Sequence, residues 1–303
     1  MIPGATQRSF PVQDYDLGAT LSSGQAFRWR PIGRGWVGVI GKNWVRLESQ
    51  GPELLAQTAE VVADWGWLTD YLQLELDLPA VLQRFPDDEP MRAAMGACRG
   101  LRLLRQDPWE CLASFICSST KQIVQIQQII SRLCERYGEP VKALPGCAPA
   151  QAFPSASALA RVPEPELRGC KMGFRAPYLL NAARRVAAGE LDLAGLRQLP
   201  VDLAREQLMH LPGVGRKIAD CVLLFAYGFQ SAFPVDVWVI KALRELYFRR
   251  RRVKLKRLQQ FSAQYFGPHG GYAQQYLFHY VRTVVRPKPR RRRAKADTKA
   301  VKT

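Results

Sequence analysis

The segment Leu211-Pro212-Gly213-Val214-Gly215-Arg216-Lys217 constrains this chain more than any other part of it. Before it, Pro200 to His210 reads as a short amphipathic helix carrying Leu203 and Leu208. After it, Ile218 to Tyr227 is apolar enough for a buried helix and stops at Gly228. The two helices and the tight turn between them form a hairpin. Gly213 and Gly215 free the turn of Cβ atoms where backbone N–H groups must point outward together, and the second helix adds its positive end, so the turn favours a phosphate. Lys217 falls in the first turn of that helix, where the helix field and partial burial disfavour an ammonium and expose a nucleophilic amine. On its own, a lysine in such a turn is equally a phosphate contact.

Nineteen residues after the lysine comes Asp236, in Phe233-Pro234-Val235-Asp236-Val237-Trp238. It follows a proline and precedes an apolar run, the pattern of a helix N-cap. Capping and chemistry are compatible, because a cap carboxylate is fixed in direction. A fixed anion can stabilise a sugar that develops oxocarbenium charge as its glycosidic bond breaks.

With these elements the chain resembles the helix-hairpin-helix DNA glycosylase superfamily, and other segments narrow the resemblance to 8-oxoguanine DNA glycosylase/AP lyase. They are Ser23-Gly24-Gln25-Ala26-Phe27-Arg28-Trp29, Leu103 to Cys111, Ser114 to Ser119, Met172-Gly173-Phe174-Arg175-Ala176, the hairpin with Ala219-Asp220-Cys221, and Gly271 to Phe278. The resemblance implies a bifunctional DNA repair enzyme that flips 8-oxoguanine out of duplex DNA, excises it and cleaves the abasic strand. It assigns Lys217 as nucleophile and Asp236 as the stabilising carboxylate. It places Cys221 and Phe278 on the two faces of the flipped base, Gln274 at its Watson–Crick edge and the Gly24 carbonyl at N7–H, which only the oxidised base carries. Read without the family, Phe278 is a core aromatic, Gln274 a surface amide and Gly24 a turn before a strand.

The resemblance fails at one place. The family fills the hole left by the base with a run of asparagines and contacts the estranged cytosine with an arginine; here the corresponding stretch holds Thr120, Lys121, Gln122 and Gln125. Trp238 and Phe225 replace a histidine and a methionine, whereas Arg175 matches. The expected DNA contacts are therefore Gly213, Gly215, Thr120, Lys121, Gln125 and Arg175.

A net charge of +18 over 303 residues calls for a polyanion, here double-stranded DNA. The tail 286–303 holds nine Lys/Arg and one Asp, hence +8, and reads as disordered; a second cluster, Arg249-Arg250-Arg251-Arg252 with Lys254, Lys256 and Arg257, is either a solvated face or a phosphate contact. Seven scattered cysteines without a C-x-x-C pair read as reduced, buried thiols. No cysteine follows Cys221, against an iron–sulfur cluster, and three histidines without Cys/Asp company argue against zinc. No cofactor or metal is expected. No apolar run reaches membrane-spanning length and no secretory leader stands at Met1, so the expected protein is an intracellular monomer, in cytoplasm or nucleoid of a bacterium or in a eukaryotic nucleus.

The expected fold class is α+β. An N-terminal twisted antiparallel sheet domain with packed helices (1–98) precedes an all-helical helix-hairpin-helix glycosylase domain (99–285) and the basic tail (286–303). A β-like pattern is expected from about Phe10 to Gln57, with short runs at 26–29, 36–40 and 44–47, and helical spacing between Leu54 and Cys98. Two other readings stay open: a monofunctional alkylated-base glycosylase that needs no Lys217, and a non-catalytic hairpin module that only binds DNA.

Overall fold

The computed structural model describes residues 6–285; the tail beginning at Arg286 lies outside the described residues. Five antiparallel strands form one sheet in the order β1-β5-β4-β3-β2. They are β1 (Thr6–Pro11), β2 (Arg30–Ile32), β3 (Gly35–Ile40), β4 (Asn43–Gln50) and β5 (Glu53–Thr58). The chain alternates as a one-sided sheet requires: Val45 and Leu47 on β4, and Leu54 and Ala56 on β5, are buried beside β1 Phe10.

Two expectations shift here. Leu54 to Thr58, where the β-like and helical readings overlap, is a strand, because the Gly51-Pro52 turn returns the chain as a hairpin in which Ser49 faces Leu54. Ala26 to Trp29 is a connecting segment whose Ala26, Phe27 and Trp29 are buried between layers. It alternates as a strand does, but its neighbours are side chains of both halves rather than a ladder. A helix at Leu17–Ser22 also interrupts the β-rich region, capped by Asp16, whose carboxylate accepts the Ala19 N–H at 2.8 Å.

From Pro108 onward the chain is helical, apart from a two-strand pairing of Pro140–Val141 with Ala150–Gln151. Asp107 caps Pro108–Cys117 through the Glu110 N–H, Ile123–Tyr137 stops at Gly138, and Ser155 caps Ala156–Ala160, each a short acceptor or glycine at a helix end. The two cores interleave along the chain, with Leu104 in the sheet core and Phe27 in the helical core. Phe10, Trp29, Val45, Leu47, Trp65, Leu68 and Leu72 form the sheet core, while Leu78, Phe85, Met91 and Ala94 already belong to the helical core.

Arg28 pins the two halves together. Its guanidinium pairs with Glu110 at 3.1 Å and donates to the carbonyls of Val39 and Gln151. Burial pushes the Glu110 carboxyl up, and Arg28 pulls it back. Arg28→Ala would leave that carboxylate unpaired, and we expect a loss of about 2–3 kcal/mol in urea unfolding. A loss below about 0.5 kcal/mol would show that the seam is held elsewhere.

Candidate active site

The hairpin is Val201–Met209, the turn, and Arg216–Val222, which widens into a π-turn over Leu223–Tyr227 and ends at Gly228. Gly213 has φ +79°, and a Cβ there would sit 2.5 Å from the Tyr178 ring, so glycine is required on both counts. Gly215 differs from expectation. Its φ is −91° and nothing lies within 4 Å of the place a Cβ would take, so its glycine leaves the turn open rather than relieving strain. A buried ion pair ties the two helices: Arg205 Nε meets Asp220 Oδ1 at 2.6 Å, both side chains below a tenth exposed.

Lys217 projects from this hairpin over the Phe115 ring, 5.1 Å from its centroid, and its Nζ donates to Ser118 Oγ at 3.2 Å. Cys221 stands one turn further along the same helix. Asp236 is the N-cap of Val237–Leu246; its Oδ1 accepts the N–H groups of Trp238 and Val239 at 2.9 and 2.8 Å. The cap reading and the catalytic reading thus describe one carboxylate in one orientation. Burial pushes the Asp236 carboxyl up, while the Val239 N–H, the charge on Lys217, the Trp238 N–H and the charge on Arg282 pull it down. Burial also drives the Cys221 thiol up to about 12, against the pull of Lys217, so it stays a neutral, polarisable surface. The Lys217 charge thus acts on both the Cys221 thiol and the Asp236 carboxyl.

The third wall is the helix Gly270–Thr283. Gln274 is buried, and its Oε1 has no partner among the described residues. An orphaned buried acceptor costs on the order of 1–3 kcal/mol, so a donor from outside the chain is the natural complement. Phe278 follows one turn later, half-buried, and Arg282 one turn later again, its guanidinium 5.0 Å from the Phe278 ring centre. Arg282 escaped the sequence reading. The i, i+4, i+8 spacing from Gln274 is the signal that finds it.

Gly24 closes the site from the sheet side at φ +82°, with a would-be Cβ 2.7 Å from Ile123 Cδ1. Gln275 Nε2 and Arg282 Nη1 donate to the neighbouring Ser23 carbonyl at 3.1 and 3.5 Å.

The remaining candidates lie in the loop after Pro108–Cys117. Thr120 is exposed and left-handed at φ +55°, a conformation that asparagine tolerates and a β-branched residue resists. Arg175 does not extend into solvent: it is 3% exposed and donates to the Ser119 and Met172 carbonyls and to Thr120 Oγ1. A guanidinium so engaged cannot also make the direct DNA contact expected of it; Arg175 instead holds the Ser119–Thr120 turn in shape. The side chain presented to solvent in its segment is Phe174, 52% exposed and 4.2 Å from the Arg175 guanidinium. Gln125 is exposed, and its Oε1 accepts the Gln122 N–H at 3.1 Å, capping Ile123–Tyr137; Lys121 is half-buried beside it.

A sheet-capped helical bundle whose hairpin lysine acts on an N-cap aspartate defines the helix-hairpin-helix base-excision class. Residues 9–112 match the 8-oxoguanine DNA glycosylase N-terminal domain, and residues 113–268 match the HhH-GPD superfamily of base excision DNA repair proteins. The chain belongs to the 8-oxoguanine DNA glycosylase family. It is 32% identical to the N-glycosylase/DNA lyase OGG1 of Arabidopsis thaliana, over 90% of this chain and 80% of that one. The N-glycosylase/DNA lyase of Saccharomyces cerevisiae is 31% identical, over 86% and 82%. The 8-oxoguanine glycosylase/lyase of Clostridium acetobutylicum, solved with duplex DNA carrying cytosine opposite 8-oxoguanine, superposes with a TM-score of 0.84 at 30% identity, over 91% of this chain and 97% of that one. Among the described residues no helix is long and apolar enough to cross a membrane.

Replacing Thr120 by asparagine keeps an acceptor for Arg175 and removes the β-branch from a left-handed residue. We expect Thr120→Asn to gain about 0.5–1 kcal/mol in urea unfolding. An unchanged or lower midpoint would show that the turn is not strained.

Proposed function

We propose that this protein excises 8-oxo-7,8-dihydroguanine from duplex DNA and then cleaves the abasic strand, with Lys217 as nucleophile and Asp236 as its electrostatic partner. The observation that carries this reading is the Lys217 charge acting on both the Cys221 thiol and the Asp236 carboxyl, together with the unpartnered Gln274 Oε1. The flipped base lies between the Cys221 thiol and the Phe278 ring. Gln274 Oε1 accepts from its Watson–Crick edge and the Gly24 carbonyl accepts from N7–H. Guanine lacks that hydrogen and would set a lone pair against the carbonyl, costing on the order of 1–3 kcal/mol.

Lys217 Nζ attacks C1′ as the C1′–N9 bond breaks and the base departs with the bonding electrons. Asp236, held by two backbone N–H groups, stabilises the positive sugar and receives or returns protons. The amine adduct opens to a Schiff base, loss of a C2′ proton expels the 3′ phosphate, and water releases the lysine. The hairpin turn holds a backbone phosphate, and Phe174 is the exposed ring that fills the space left by the base.

Lys217→Gln tests the nucleophile. It removes strand cleavage on a preformed abasic duplex by at least about a thousandfold while damaged-duplex binding stays within about threefold. Cleavage that survives would favour the monofunctional reading. Arg282→Gln tests the electrostatics. Arg282 holds the Asp236 carboxyl down, so its removal lets burial raise it further. The acid limb of single-turnover excision then moves to higher pH, and a limb that stays in place would remove Asp236 from the rate-determining ionisation.

Opposite-base choice follows from the same loop. Gln125 offers a flexible amide whose oxygen already caps a helix, and Thr120 is shorter than asparagine. We expect a weaker preference for cytosine than in relatives carrying the asparagine run and arginine, and an increase of that preference in Gln125→Arg, read as single-turnover rates on four duplexes differing only in the opposite base. A strong cytosine preference in the unmodified chain would contradict it.

A further inference from the structure

The turn joining Val237–Leu246 to Leu255–Tyr265 is unlike the other turns of the molecule. Arg249, Arg250, Arg251, Arg252, Lys254, Lys256 and Arg257 are all exposed, no acid lies among them in sequence, and none makes an ion pair with another described residue. Arg249 and Arg250 are both left-handed, at φ +45° and +62°. That backbone is disfavoured for any residue with a Cβ and free for glycine. The shape is nevertheless fixed. The Arg250 N–H donates to the Arg244 carbonyl at 2.7 Å, the Arg251 N–H to the Phe248 carbonyl at 2.8 Å, and Arg244 Nη2 to the Val253 carbonyl at 2.9 Å. Beneath it Tyr247, Phe248, Phe261, Tyr265 and Phe266 pack ring on ring. Strained backbone and crowded like charge on a rigid base are stabilised by a polyanion.

The helix leading to this turn fixes where that polyanion runs. It begins at Asp236, which on the reading above touches the sugar of the flipped nucleotide, and its ten residues span about 15 Å at ~1.5 Å each. At its start Val237 is 75% exposed, and one turn on Lys241 lies over the Trp238 ring at 5.4 Å, with Glu245 the one acid between that lysine and the arginines. We propose that residues 249–257 form a second duplex anchor that grips backbone phosphates about four to five base pairs from the lesion, at ~3.4 Å per step. The anchor reads no sequence and takes no part in base removal. It sets affinity and the length of duplex required on one side of the lesion.

This inference rests on the glycosylase reading, and the test separates the two. The full chain is compared with Arg249→Gly/Arg250→Gly, which removes charge and strain together, and with Arg251→Gln/Arg252→Gln, which removes charge alone. Binding to an 8-oxoguanine duplex is measured against salt, and against two duplex series trimmed one base pair at a time from either end. We expect the slope of log affinity against log salt to fall in magnitude by about 0.9 for each phosphate that the variant no longer neutralises. The unmodified chain should lose affinity once one particular arm is shorter than about four to five base pairs, and the variants should not respond to that arm. The glycine pair should melt no lower than the unmodified chain, and single-turnover excision at saturating enzyme should stay within about twofold in both variants. Unchanged salt slope and trimming response in the variants would overturn the anchor even with excision intact. Loss of excision at saturation in a stably folded variant would also overturn it, by placing the turn within the catalytic site. Excision absent in the unmodified chain would instead sink the glycosylase reading.

Discussion

The side chain of Gln25 is the knot on which the site depends. It is fully buried, and its amide donates to the Thr20 and Arg102 carbonyls at 2.9 and 2.8 Å while accepting the Leu104 N–H at 2.8 Å. Gln106 then returns a bond to the Gln25 carbonyl at 2.8 Å. A buried amide that satisfies this many partners rigidifies the segment around it. That segment includes Gly24, and the bonds tie it to the end of the Leu17–Ser22 helix and to the stretch Arg102–Gln106. Removal of the Gln25 amide would leave several buried backbone groups unpaired at once.

Around this frame a few opposing charges set the state of the site. Burial pushes the Asp236 carboxyl up, and two N–H groups, Lys217 and Arg282 oppose it. Cys221 is kept neutral by the same burial. A neutral thiol and a directed carboxylate beside Lys217 suit the base removal proposed above. The hairpin supplies stiffness from behind through Arg205 and Asp220, so Lys217 is presented from a fixed helix.

Much of this was legible in the sequence where local chemistry and tertiary use coincide. Asp107, Ser155 and Asp236 cap helices because a short acceptor before an apolar run is a local signal, and the two hairpin glycines mark their turn for the same reason. What stayed hidden depends on partners distant in sequence. Arg175 reads as a surface cation, yet its partners Ser119 and Thr120 lie more than fifty residues away, and they bury it. Gln125 reads as a base contact, whereas its oxygen has a local capping task. Arg282 carries no motif, and only the pocket-facing stripe of its helix gives it meaning. Residues 54–58 carry an apolar run whose period is too short to separate strand from helix until β4 pairs with it.

The most direct test of this account is to locate the covalent bond. Unmodified protein is incubated with an 8-oxoguanine duplex under borohydride, the adduct is digested, and the peptide bearing the sugar remnant is sequenced by mass spectrometry. The remnant is expected on Lys217 alone. An adduct on another amine, such as Lys121 or the N-terminal amine of Met1, or excision that proceeds with no adduct, would contradict the assignment of the hairpin lysine as nucleophile.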